Sequence, residues 1–175
     1  MAGIAPETLE QLRPWLAAYE LEHAYQKRNG QTGLSANQVL AAEAMKAGVP
    51  VRSEFPTQED TIAGYGALSP IADLQFLRFT LDEILAGPAK LRRENADWAR
   101  GAIGLATERV QTAGRKFPEL YDELFVQRNR RWTPRIADML QQHKPSLIVV
   151  GNYHLLGPDG VLALLGRNGL KLERA

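Results

Sequence analysis

No cysteine occurs in the 175 residues, which excludes disulfides, thiolate metal sites and cysteine nucleophiles while fitting a reducing or an oxidising compartment equally. Charge imbalance is slight as well: 21 Lys and Arg stand against 20 Asp and Glu, a formal net charge of +1. That balance gives no general attraction to nucleic acid or anionic lipid, so no nucleic-acid partner is expected. Nowhere do about 18 apolar residues run together, and MAGIAPETLEQLRPW has no basic start leading into an apolar stretch. As given, the chain shows no signal peptide and no membrane span, which makes a cytoplasmic, soluble protein the default expectation. The sequence also lacks GxxxxGK[ST], GxSxG and HExxH, so phosphate-loop, serine-elbow and zinc-helix enzymes lose weight.

What is present is a core-forming pattern, with 45% hydrophobic and 23% charged residues and no low-complexity block, enough for one domain. ETLEQLRPWLAAYELEHAYQKR reads as a broken helical pair, with Pro14 starting the second helix and Asn29-Gly30 ending it. Ser35 is a natural N-cap for SANQVLAAEAMKAG, which Gly48 stops. TQEDTIAGYGALS reads as helical, weakened near Gly64 and Gly66. From 69 to 144 helical character continues, punctuated at Gly87-Pro88, Gly101 to Gly104, Gly114 and Pro118. Within it Ile71, Leu74, Leu77, Leu81 and Leu85 form an apolar stripe.

Three segments read as strands: 49–55, 146–151 and 170–174. SLIVVGNY is a continuous apolar run of the kind a sheet covered on both faces requires. Gly157-Pro158 then restarts a helix, and LKLER returns as a parallel strand through a right-handed crossover. The sequence therefore predicts an α/β fold: a small, mostly parallel sheet, a helical insertion over 69–144, and a C-terminal βαβ unit. So meagre a sheet leaves an open edge, which points to homodimerisation or to a missing strand.

Ligands in open parallel sheets gather at the carboxyl ends of strands, and Glu54 and His154 fall there. An imidazole in the turn Gly151-Asn152-Tyr153-His154 can bind metal or move a proton near neutral pH, or it can pack against or cap the next helix. Glu54 can share that crevice or cap TQEDTIAG. Arg128-Asn129-Arg130-Arg131-Trp132 can hold an anion, or form a solvated helix face. Trp15, Trp98, Trp132, Phe76, Phe79 and Phe117 are read as core or half-buried packing. His23 and His143 are read as solvated. Gly64-Tyr65-Gly66 is rejected as a dinucleotide loop, because it lacks a third glycine and follows a helix.

The order of these segments resembles the TraB/GumN (TIKI-like) family: an LRPWLA-like helix, a segment with Glu54 and Gln58, then RNRRW, then VVGNYHLLGPDGVLALLGRNGLKLER. The last stretch is the most specific, with Gly151, His154, Gly157 and Gly160 at a Gly-X-X-His turn and a Gly-X-X-Gly helix start. The resemblance implies a metal-dependent hydrolase acting on peptides. It implies Glu54 and His154 as ligands of a divalent metal (manganese, cobalt or zinc). It assigns catalytic roles to Glu54, Arg128 and His154, with Gln58, Asn129 and Gly151 on the substrate. The family's other Gly-X-X-His turn lies on a hairpin ahead of the LRPW-like helix. This sequence begins almost at that helix, which implies an N-terminally incomplete domain over 1–175.

A site of Glu54 and His154 alone falls short of the three protein ligands a metal normally needs. The competing reading is therefore a non-enzymatic module that binds a peptide or other ligand, or an inactive truncated family member. Many members of the family are exported or membrane-attached.

Overall fold

The computed structural model describes residues 4–142 and 144–173. His143, expected to be solvated, and the end of the last predicted strand at Arg174 lie outside the described residues. The chain divides into two compact units, Met1–Thr80 and Leu81–Ala175.

The first unit holds α1 (Pro6–Leu9), α2 (Pro14–Arg28), α3 (Ala36–Lys46), α4 (Gln58–Gly66) and most of α5, which runs Pro70–Leu85. Prolines open α1 and α2, where a missing N–H costs nothing. Ser35 caps α3 reciprocally with Gln38, and Thr57 caps α4 in the same way with Asp60. The cap of α4 is therefore Thr57 and not Glu54. The start of α2 is held by a buried carboxylate. Asp73 accepts the backbone N–H of Trp15 and two guanidinium N–H groups of Arg13, while Arg13 Nη1 donates to the Gly66 carbonyl at 2.7 Å. Trp15 stacks on Tyr65, and Tyr65 on Phe76. Ala17, Ala18, Leu68 and Ala72 complete this core.

The second unit contains the end of α5, then α6 (Pro88–Ala99), α7 (Gly104–Lys116), α8 (Pro118–Tyr121), a π turn over Asp122–Val126, α9 (Gln127–Gln141), a 3-10 turn at Asn152–Leu155, and α10 (Val161–Arg167). Val110, Ala113, Phe117, Leu120 and Val126 are buried here. Ile136, Val161 and Leu165 form a packed cluster, with Trp132, Leu155 and Leu170 against it. No helix among the described residues is long and apolar enough to cross a membrane.

The expected sheet is not there. Among the described residues there is no strand, so the predicted α/β class, the parallel sheet and the terminal βαβ unit are all replaced by helices and irregular segments. The reason lies in the hydrogen bonds, because a strand exists only when its N–H and C=O groups meet a neighbouring segment. Residues 146–150 bond no other backbone segment among the described residues, and Leu147 is 75% exposed. At the other two sites the amides are already spent. Gly48 (φ +70°) and Gly169 (φ +84°) end α3 and α10 in the left-handed conformation. The next amides, Val49 and Leu170, then turn back to the carbonyls of Ala44 and Leu165, completing Schellman caps. Ser53 closes the rest of 49–55 into a local turn, bonding both the N–H and the carbonyl of Phe55.

Two packing expectations also change. In α5 the buried positions are Ala72, Asp73 and Thr80, while Ile71, Leu74, Leu81 and Leu85 are exposed. The salt-bridged Asp73 and its small neighbours, not the aliphatic stripe, fix which side of α5 faces inward. Trp98, expected at least half-buried, is 60% exposed. It lies near the end of α6, a helix with no fully buried residue.

Candidate functional site

The second unit places His154 at the centre of a built environment. The helical run from Pro118 to Gln141 is widened by its π turn, where the Gln127 N–H reaches back to the Asp122 carbonyl. Gln127 Nε2 also donates to Asp122 Oδ2 at 2.7 Å, bracing the same wide turn from outside. Such turns are frequent at functional sites because they re-aim the side chains around them. Here the run offers Tyr121, Phe125, Asn129 and Trp132 at helical spacing on one face. Facing them, the 3-10 turn is closed by the His154 N–H donating to the Gly151 carbonyl at 2.9 Å. Gly160 lets the chain turn tightly after it, since a Cβ there would lie 2.6 Å from the Leu156 carbonyl oxygen.

His154 is buried, 7% exposed, and Asn129 is 1% exposed. The ring of His154 sits 5.0 Å from that of Phe125 and 4.6 Å from that of Trp132, tilted against both. Its Nδ1 lies 2.7 Å from Asn129 Oδ1. Asn129 Nδ2 donates to the Asp159 carbonyl at 2.8 Å. That second bond settles the first. A carbonyl can only accept, so it fixes the NH₂ end of the amide toward Asp159 and leaves Oδ1, a pure acceptor, facing the ring. Nδ1 must then carry the proton, and in the neutral imidazole the lone pair belongs to Nε2. Thr133 Oγ1 donates to the Asn129 backbone carbonyl at 2.7 Å, holding the residue from behind.

A layer of aromatic and cationic groups surrounds this pair. The Arg128 guanidinium lies 4.8 Å from the Trp132 ring centroid, a cation–π contact. Tyr121 stacks on Phe125 and donates weakly to Asp159 Oδ2 at 3.4 Å. Burial, then the Asp159 charge and hydrogen bond, pushes the Tyr121 phenol above its ordinary value. Tyr153 accepts from Arg109 Nη1 at 2.6 Å. Its phenol is also raised, chiefly by burial, against the lowering effect of Arg109.

Of the residues read from the sequence, Arg128, Asn129, Gly151 and His154 lie in the second unit, and Asn129 and His154 are in direct contact. Glu54 and Gln58 lie in the first unit, both exposed, Glu54 in the irregular segment and Gln58 at the first position of α4. His154 is a donor of suitable chemistry for a metal. However, no three His, Cys, Asp or Glu side chains gather to hold an ion among the described residues, so the donors described within either unit do not by themselves fit a complete metal centre. Asp159, Tyr121, Phe125, Tyr153 and Arg109 were not visible as site residues in the sequence. The spacing of Tyr121, Phe125, Asn129 and Trp132 was the available signal, one helical face with a polar residue among aromatics.

A model of the TraB/PrgY/gumN family matches residues 1–174. No curated protein and no solved structure matches the chain.

Proposed function

The chain belongs to the TraB/PrgY/gumN family, and from that premise we propose that it is a hydrolase acting on peptides in which His154 is the proton-transfer group. The observation that carries this reading is the hydrogen bond from His154 Nδ1–H to the buried amide of Asn129. A buried polar side chain that spends both ends of its amide fixing one tautomer is what an imidazole base requires.

In the proposed reaction Nε2 takes a proton from water as the water oxygen bonds to the peptide carbonyl carbon. The same proton then passes to the amine nitrogen as the C–N bond breaks, returning the imidazole to its starting form. Arg128, whose guanidinium contacts the same Trp132 ring that meets the imidazole, would oppose the charge that develops on the carbonyl oxygen. No step depends on a metal, in keeping with the donor set described above.

A second reading, a module that holds a peptide without cutting it, is favoured by the burial of His154 between two aromatic rings. Incubation of the purified chain with a mixed peptide pool, with and without added manganese, cobalt or zinc, separates the two. Hydrolysis predicts new fragments whose ends carry oxygen from labelled water, and their absence in His154→Ala. Peptide retention without fragments supports the binding module and contradicts the hydrolase.

A further inference from the structure

The imidazole has a second support besides Asn129, approaching through the residue that precedes it. Tyr153 lies in the same 3-10 turn, and Arg109, on α7, grips it twice: Nη1 donates to the phenol oxygen at 2.6 Å, and the guanidinium carbon lies 5.0 Å from the ring centroid. Arg109 is itself held. Its Nε is 3.3 Å from Glu83 and its Nη1 is 3.3 Å from Glu94. Lys90 closes the far side, 2.7 Å from Glu83 and 3.6 Å from Glu94. The side chains of Arg109 and Glu94 are 16% and 14% exposed, so this quartet of two acids and two bases is largely removed from water.

A buried ion-pair cluster is weak evidence for stability, since desolvation offsets most of the attraction. Its better-attested contribution is geometric: charges that can satisfy one another only in one arrangement fix that arrangement. Here the fixed object is the Arg109 guanidinium, and it donates to an uncharged side chain, the phenol of Tyr153. Helices α6 and α7 and the end of α5 are thereby tied to the turn that carries His154.

We propose that Arg109 is a positioning residue for His154, acting through its grip on Tyr153 to set the 3-10 turn. The inference deepens the hydrolase reading, but it can be tested apart from it. Tyr153→Phe removes the phenol oxygen and leaves the ion pairs of the quartet in place. Arg109→Met removes the grip itself, and leaves two carboxylates facing one lysine.

The test is the ¹⁵N chemical shifts of the His154 ring, which distinguish Nδ1–H from Nε2–H. They are to be read in wild type, Tyr153→Phe and Arg109→Met, beside kcat and KM on any peptide that is cleaved. Wild type should show one tautomer. Tyr153→Phe should show His154 shifts moved toward a tautomer average, with kcat lowered about ten-fold at unchanged KM, the size usual for loss of an orienting partner. Ring shifts in Tyr153→Phe that superpose on wild type would overturn the proposal, whether or not its melting temperature changes. If wild type cleaves nothing, the hydrolase reading fails and the ring shifts still decide this one. Should Arg109→Met not fold, Tyr153→Phe alone gives the answer.

Discussion

Asn129 and His154, 25 residues apart in sequence, meet at 2.7 Å with both side chains almost wholly out of water. One comes from the first turn of a polar, arginine-rich helix and the other from a short turn after an apolar run. Removing the amide in Asn129→Ala would leave the imidazole N–H and the Asp159 carbonyl without their partner. An orphaned buried group costs about 1–3 kcal/mol and the Asp159 carbonyl is only part-buried, so a loss of about 1–3 kcal/mol is expected. Urea unfolding measures it. A loss below about 0.5 kcal/mol would mean that water replaces the amide freely.

The first unit depends on a comparable buried acceptor. Asp73→Ala removes the oxygens that take the Trp15 N–H and the Arg13 guanidinium. A cost of about 2–4 kcal/mol follows from the unmade bonds to a charged group. The change should appear in fluorescence of Trp15 in a single-tryptophan background, because the indole stacks on Tyr65 beside the lost contact.

How far the sequence foretold this structure can be judged from particular residues. Pro14, Ser35, Gly48, Gly87-Pro88 and Pro118 mark helix ends where expected, because each acts through local sterics or a bond to its own neighbours. His154 was legible as a candidate from its Gly-X-X-His turn. The strands were misread because an apolar run reports a wish for burial, whereas strand structure requires a partner segment. Val49 and Leu170 show how the local rule won, with their amides taken by the helix caps before them. The Asp159 backbone carbonyl and the Arg109–Tyr153 bond were invisible, since nothing in composition or spacing fixes which distant groups meet.

Two glycines of the C-terminal segment, Gly160 and Gly166, should respond oppositely to alanine. At Gly160 a Cβ would press on the backbone of Leu155 and Leu156 at 2.6–2.8 Å, so Gly160→Ala should cost about 1–3 kcal/mol by overpacking. At Gly166, inside α10, a Cβ meets open space, so Gly166→Ala should stabilise by about 0.4–1 kcal/mol through the unfolded chain. Thermal melts of the two variants check the signs.

Alkaline pH should weaken the fold in a defined window. Tyr121 and Tyr153 have raised folded values, so above the ordinary value of about 10 the unfolded chain sheds these protons first. The stabilisation is complete below that pH and is lost as pH climbs through the folded values. Among the five tyrosines, these two should ionise late in a tyrosinate absorbance titration. Tyr153→Phe should flatten part of the alkaline loss measured by urea unfolding. Ionisation of all tyrosines in a single step near pH 10 would contradict this.

The most direct test of the account is kcat/KM for one cleaved peptide, measured side by side for wild type, Asn129→Ala and His154→Ala. If His154 moves the proton and Asn129 presets it, His154→Ala should lose about 10²–10⁴-fold. Asn129→Ala should lose about 10–100-fold at a temperature where it remains folded. Cleavage by His154→Ala at the wild-type rate would contradict the account.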